Sequence, residues 1–193
     1  KLVAKVVQGV SHFHESLGIQ VVDEAWEELR FLIENITPQG AQRRIACMKL
    51  FGELYTCRIV DFEALLALLY FILKHKAGGA VAPTSDPLDN FARIRMVITL
   101  LETCSLSFSK GQQKQLLDRF VLFFQQYCFH EAPLPLDIEY DLQDLYSSLD
   151  TKRHNTLEEV EARIKDSDAD FTLSRNSTLI SDNLNAPTMG EGV

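Results

Sequence analysis

Apolar residues recur every three or four positions through almost every long segment of this chain. In residues 20–36 they fall on one side of a helix, and the members of that set are Val22, Ala25, Trp26, Leu29, Ile33 and Ile36. This spacing is typical of amphipathic helices, whereas a half-buried strand would alternate strictly between apolar and polar residues. We therefore predict an all-α protein.

Interruptions in this periodicity divide the chain into eight predicted helices. They cover residues 2–16, 20–36, 41–57, 61–76, 87–104, about 112–129, about 138–149, and a last segment that starts near Asn155. Gly18 is expected to separate the first helix from the second. The candidate N-caps are Ser109 in a capping box with Gln112, Asp137, and Asn155 paired with Glu158.

Short loops join most of the predicted helices, which favours antiparallel neighbours. We therefore expect a HEAT-like α-solenoid of stacked antiparallel helical hairpins, although no repeat of fixed period is visible. Residues 1–170 should form a single helical module, and the polar residues 171–193 a disordered tail or linker. Because the chain opens with Lys-Leu-Val and has neither an initiator Met nor a signal peptide, we expect a fragment of a longer protein.

The chain is acidic, with 27 Asp and Glu against 19 Lys and Arg and a net charge of −8. Nucleic-acid binding depends on cations that neutralise phosphates, so a basic protein is the more natural partner and direct RNA contact is expected to be weak or absent. No segment approaches the ~20 apolar residues that a membrane span needs. The four cysteines match no zinc or redox motif, so we expect four buried thiols and a reducing compartment, the cytosol or the nucleus. Of the two, we expect a cytoplasmic location.

No residue pattern predicts catalysis, a cofactor or a metal site. His12 and His14 form the only metal-like pair, but residues two apart on a helix point about 200° apart and cannot share an ion. Gly78-Gly79 lacks the Lys and the Ser or Thr of a phosphate-binding loop. We therefore expect no enzymatic activity, no cofactor and no small-molecule substrate.

Acidic residues form a stripe along the second predicted helix. If Asp23 is placed at zero, Glu27 lies at about +40° and Glu34 at about +20°, with Glu24 on the shoulder at about +100°. Such a stripe can receive a row of basic residues from a partner. Arg30 lies within the stripe and can instead pair with Glu27 and Glu34, so the pattern alone favours a solvated helix face.

A second acidic stretch covers residues 131–150. It contains Glu131, Asp137, Glu139, Asp141, Asp144 and Asp150, and no basic residue. Solvation and helix capping are the simpler interpretation of these carboxylates.

Seven blocks of sequence, taken in order, are similar to the third middle-domain module of the up-frameshift-two family of nonsense-mediated mRNA decay scaffolds. The resemblance runs from about residue 15 to residue 165, and its order and spacing carry it. The blocks are Val22-Asp23-Glu24, Gln42-Arg43-Arg44-Ile45, Phe51-Gly52-Glu53-Leu54-Tyr55, Phe91-Ala92-Arg93-Ile94-Arg95, Leu117-Asp118-Arg119-Phe120, Phe124-Gln125-Gln126-Tyr127 and Pro135-Leu136-Asp137-Ile138-Glu139-Tyr140.

The resemblance implies a HEAT-like helical stack without catalytic activity. It also implies a partner, the RRM-fold domain of up-frameshift three, whose basic sheet face meets acidic residues of the module; other decay-complex proteins are possible further partners. The family's acidic pattern, Asp-Glu-x-x-Glu and then Glu seven residues later, falls on Asp23, Glu24, Glu27 and Glu34. The resemblance thus makes these four the expected partner-binding residues and favours docking over solvation alone.

Two other functions compete with this expectation. A translation-factor middle domain that binds and stimulates a DEAD-box RNA helicase would have a similar fold, and fold does not determine function. Direct RNA binding is a lesser hypothesis, which a steep loss of RNA affinity with salt would support. The residues that would carry it are Arg43, Arg44, Arg93 and Arg95.

Overall fold

A computed structural model describes residues 2–74, 87–108 and 111–167, and these residues contain eight α-helices and no strand. The helices are α1 (Leu2–Ser11), α2 (Glu15–Glu34), α3 (Ala41–Thr56), α4 (Phe62–Lys74), α5 (Pro87–Cys104), α6 (Gln112–His130), α7 (Leu136–Ser148) and α8 (157–167). The all-α prediction is confirmed. None of the helices described is long and apolar enough to cross a membrane.

The helices form two layers. The odd-numbered helices contact one another in succession, α1 with α3, α3 with α5 and α5 with α7, while α4 contacts α6 in the other layer. Contacts within the pairs α1–α2 and α3–α4 connect the layers. This arrangement confirms the HEAT-like stack of helical hairpins.

The core runs between the layers, and α5 is the helix that buries most in it. Its inner face is buried, with Ile94, Val97 and Leu101 fully inaccessible to solvent. The apolar run of α4 likewise buries Leu65 and Leu69 completely.

Gly52 marks the closest approach between α3 and α5. A Cβ atom at this position would lie 2.9 Å from Thr103 Cβ and 3.1 Å from Cys104 Sγ. The glycine carbonyl also accepts hydrogen bonds from Thr56 Oγ1 at 3.0 Å and from the Cys104 thiol at 3.6 Å. The absent side chain is therefore what allows α5 to pack directly on the α3 backbone.

The first helix break is not where the sequence predicts it. Residues 12–14 separate α1 from α2, and Gly18 lies inside α2. A Cβ at Gly18 would approach Ser11 Oγ to 2.7 Å, so this glycine accommodates the end of α1 against α2 instead of ending a helix. His12 and His14 belong to the connecting segment and are exposed.

Two predicted N-caps are also wrong. Asp137 lies within the first turn of α7, where the cap is Pro135, and its carboxylate accepts a 2.5 Å hydrogen bond from Arg95. At α8 the capping box is one residue later than predicted, since Thr156 Oγ1 accepts from the Glu159 amide at 3.3 Å and Glu159 accepts from the amide of residue 155 at 3.2 Å. Ser109 and the predicted tail, residues 171–193, lie outside the described residues.

Two polar side chains of α6 hold the segment that leads into α8. The Gln125 side chain, only 2% exposed, donates to the Lys152 carbonyl at 2.9 Å and accepts from the His154 amide at 3.0 Å. In the first turn of the same helix, the half-buried Lys114 donates from Nζ to the Leu149 carbonyl at 2.8 Å. The described end of the stack is thereby tied to α6.

Candidate partner-binding face on the second helix

One side of α2 packs into the core, which turns the opposite side to solvent. Leu29 and Ile33 are fully buried on the inner side. Trp26 is half-buried, and its ring centroid lies 5.9 Å from that of Phe51 on α3 and 6.4 Å from that of Phe71 on α4. The acidic residues, spaced away from this side, are directed outward.

All four predicted site residues are exposed on α2: Asp23, Glu24, Glu27 and Glu34. Asp23 and Glu27 are one turn apart, and Glu34 follows two turns later, so the row extends about 16 Å along the helix axis. We call these four residues the acidic stripe. The stripe that the sequence predicts is therefore a continuous surface feature of the folded chain.

The carboxylates of the stripe differ in their ion pairs. Arg30 Nε lies 3.2 Å from Glu34 Oε1, which is one of the two internal pairs that the sequence allows. Asp23, Glu24 and Glu27 pair with no other described residue. Most of the negative charge on this face is therefore not neutralised within the described part of the chain.

Glu28 lies beside the acidic stripe but forms an ion pair with α3. Its carboxylate is 2.6 Å from Arg43 Nε on α3, and its side chain is less exposed than that of Arg43, 27% against 67%. This ion pair links α2 to α3 and excludes Glu28 from the outward row.

A cleft that sequence reasoning missed adjoins the first residue of the stripe. It has a volume of about 560 Å³ and lies between α1, the start of α2 and the turn after α3, with Gln8, His12, Asp23 and Arg58 among its lining residues. Gln8 Nε2 donates to the Cys57 carbonyl at 2.9 Å and so joins α1 to that turn. Single-helix periodicity carries no signal for such a cleft, because its walls come from three separate segments.

Arginines from α5 and from the segment after α7 neutralise part of the second acidic stretch. Arg95 pairs with Asp137 at 2.5 Å, and Arg153 pairs with Glu139. On the neighbouring α5, burial and then the charges of Asp141 and Asp144 raise the pKa of the Glu102 carboxyl above its ordinary value. The structure therefore gives α7 a mixed surface and leaves α2 as the more uniformly acidic one.

The four arginines considered for RNA binding all have structural partners. Arg43 and Arg95 form the ion pairs above, and the buried Arg44 donates to the Thr37 carbonyl at 2.8 Å. Arg93 lies close enough to Tyr127 for its charge to act on the pKa of that phenol. These arginines do not form a free basic surface.

The cysteines are free thiols in two environments. Cys104 and Cys128 are buried, and burial raises the pKa of each to about 12. The prediction that all four are buried is wrong for Cys47 and Cys57, which are half-buried. Among the described residues, no group of three or more His, Cys, Asp or Glu is placed to hold a metal ion.

Comparison with known proteins places this chain in a family. The MIF4G domain family matches residues 1–150. The "Regulator of nonsense transcripts UPF2" of Arabidopsis thaliana is 40% identical over 165 residues, which are 84% of this chain and 14% of that protein. The "Regulator of nonsense transcripts 2" of Mus musculus is 33% identical over 98% of this chain, and that of Homo sapiens 32% identical over 99%.

The chain spans only 14–16% of the length of these curated relatives. The match nevertheless extends over most of this chain, and the two-layer helical stack agrees with it. The chain therefore belongs to the MIF4G domain family, as a module of the UPF2 type.

Proposed function

We propose that this chain is the third MIF4G module of a nonsense-mediated mRNA decay scaffold and that it acts in the cytoplasm without catalysis. In this proposal its acidic stripe binds the RRM-fold domain of an up-frameshift-three protein, and other decay-complex proteins join the same assembly. The names of the relatives, regulators of nonsense transcripts, support the decay role. The observation that carries the binding proposal is the row of outward carboxylates on α2.

The chemistry of the stripe suits a basic partner. Exposed carboxylates in a row attract a positive surface and raise the rate of encounter, and this attraction weakens with salt. Once the partner docks and water leaves, removing one member of a buried charge pair costs roughly 2–5 kcal/mol, because the other charge stays behind unpaired. Losing two carboxylates of the stripe should therefore abolish measurable binding.

Arg30 modifies this scheme because it already neutralises Glu34. A basic side chain from the partner has to compete with Arg30 for that carboxylate, 3.2 Å away from the guanidinium. Exposed pairs at this spacing contribute only about 0.3–0.5 kcal/mol. Arg30→Ala should therefore strengthen partner binding about twofold, while the same change would be neutral if the partner docked elsewhere.

The test is a titration of the RRM-fold domain into the module by calorimetry at two salt concentrations. The double variant Glu27→Arg, Glu34→Arg should not bind. Its free energy of unfolding should stay within about 0.5 kcal/mol of wild type, because both residues are exposed.

A matched control is the double reversal Asp141→Arg, Asp144→Arg on α7, which should bind nearly as wild type does. Wild-type affinity in the α2 variant would remove the acidic stripe as the binding surface. If neither variant nor wild type bound the RRM-fold domain but all bound a DEAD-box helicase core, the decay assignment itself would be wrong.

A further inference from the structure

A groove between α4 and α6 is used by neither the acidic stripe nor the core. Its volume is about 510 Å³. The α4 wall consists of Leu66, Tyr70 and Leu73, and the α6 wall includes Leu116, Phe123 and Tyr127. All six side chains are half-buried, so each keeps apolar surface that a ligand can cover.

The two walls follow helical periodicity. On α4 the residues are spaced i, i+4 and i+7, and on α6 the lining side chains extend from Leu116 to His130. At 1.5 Å per residue, these walls are about 10 Å and about 21 Å long. A groove of this length between two helices matches the apolar face of a third helix two to four turns long.

Aromatic contacts fix the floor of the groove. The Tyr70 ring centroid lies 5.2 Å from that of Phe120 and 6.1 Å from that of Phe123, and both pairs meet edge to face. These contacts join α4 to α6 across the floor. The groove is therefore formed in the folded chain rather than opened by a ligand.

The charges on the groove have the sign opposite to that of the whole protein. Among the described residues that line the groove, the basic side chains are Arg119 and His130, and none is a carboxylate. The Arg119 guanidinium lies 5.7 Å from the centroid of the Phe123 ring. The charges of Arg93 and Glu131 both act on Tyr127 from beyond the lining. A ligand in this groove thus meets basic groups on a chain of net charge −8.

We propose that the groove between α4 and α6 docks an amphipathic helical segment of a partner protein, with apolar residues in the groove and carboxylates beside Arg119 and His130. The leucines on both walls favour aliphatic anchors of such a helix. Single-stranded RNA would need a cationic track along its backbone beside the aromatic rings. Arg43, Arg44 and Arg95 supply none, since each is engaged elsewhere.

The experiment measures fluorescence anisotropy with the full chain and a labelled helical peptide of about 16 residues, long enough for four turns. The peptide carries leucines at i, i+3, i+7 and i+10 and glutamates on the flanking positions. A matched peptide has lysines in place of the glutamates, and a third probe is a labelled oligouridylate. We expect the acidic peptide to bind at least about tenfold more tightly than the lysine peptide, because like charges across an interface disfavour the wrong partner.

Two variants locate the binding. Leu116→Ser should weaken the acidic peptide by about tenfold, because it removes an apolar wall residue. His130→Glu introduces a carboxylate at the exposed end of α6, so it should weaken binding of the acidic peptide and strengthen binding of the lysine peptide. The second variant keeps the test valid if Leu116→Ser lowers stability, which circular dichroism monitors.

Equal binding of the two peptides, or no binding of either, would overturn the proposal. Binding of the acidic peptide that neither variant alters would also overturn it. Oligouridylate binding that Leu116→Ser and His130→Glu abolish, without acidic-peptide binding, would assign the groove to RNA instead. Glu27→Arg, Glu34→Arg leaves the groove intact and should bind the acidic peptide normally, which separates this proposal from the one for the acidic stripe.

Discussion

Replacing Gly52 by alanine tests the packing on which the two-layer stack depends. Alanine is intrinsically better than glycine in a helix by about 1 kcal/mol, so propensity alone predicts stabilisation. The new methyl group, however, would lie 2.9 Å from Thr103 Cβ and 3.0 Å from Thr103 Cγ2. Carbon atoms attract best at about 3.5–4.0 Å, so these contacts are strongly repulsive.

The repulsion cannot be relieved by a simple rotamer change. Thr103 Cβ is bonded directly to the α5 backbone, so α5 has to shift away from α3. Overpacking costs typically 1–3 kcal/mol, and contacts this short on an atom fixed to the backbone place Gly52→Ala at about 2–3 kcal/mol, which exceeds the gain of about 1 kcal/mol in propensity. We expect Gly52→Ala to lower the free energy of unfolding by about 1–2 kcal/mol, and Gly52→Leu to lower it further. For a chain of this size, the melting temperature should fall by roughly 2–8 °C.

The assay is urea and thermal unfolding followed by circular dichroism. Gly9→Ala is the matched control, because it lies in α1 with no heavy atom within 4 Å of the added methyl group. That variant should be as stable as wild type or gain up to about 1 kcal/mol. A Gly52→Ala protein with wild-type or higher stability would refute the close approach of α3 and α5. A variant with unchanged melting but lost partner binding would instead place Gly52 in a ligand contact.

Two further predictions follow from buried and titratable groups. Gln125→Leu should lower the free energy of unfolding by about 1–3 kcal/mol, because the backbone groups it satisfies at 152–154 lose their partner, and amide exchange should accelerate in that segment first. Glu102→Gln should raise the melting temperature at about pH 7 but not below about pH 4. The folded-state pKa of the Glu102 carboxyl lies above its ordinary 4.5, so ionisation of this group destabilises the fold as the pH rises through the folded-state pKa. An equal effect of Glu102→Gln at both pH values would show that the change does not come from ionisation of Glu102, which burial and then the charges of Asp141 and Asp144 disfavour.

Features that belong to a single helix could be predicted from the sequence. The outward alignment of Asp23, Glu27 and Glu34 depends only on 3.6 residues per turn and on the apolar side of the same helix. The burial of Ile94, Val97 and the rest of the α5 face follows from the same rule. The proposed partner does not follow from helix periodicity and rests on resemblance.

Features that depend on two segments could not be predicted. Gly18 is of a residue type that often breaks helices. Here, however, the end of α1 packs beside it, and this tertiary contact requires a residue without a side chain. Asp137 is of a residue type that often caps helices, but its carboxylate accepts a hydrogen bond from Arg95 on α5. The groove between α4 and α6 was missed for the same reason, because its walls come from two helices that are far apart in the sequence.

The ring contacts of Trp26 have a consequence for the binding proposed for the acidic stripe. Because this side chain meets Phe51 and Phe71 from the inner side of α2, the backbone that carries the carboxylates is held in place before any partner arrives. Association then restricts only side-chain rotamers, at about 0.5–1.5 kcal/mol for each side chain immobilised, and spares the 1–2 kcal/mol per residue needed to order a flexible backbone. Four carboxylates on a pre-ordered helix can thus give useful affinity over a small area. On an unfolded segment, the conformational entropy lost on binding would cancel most of that affinity.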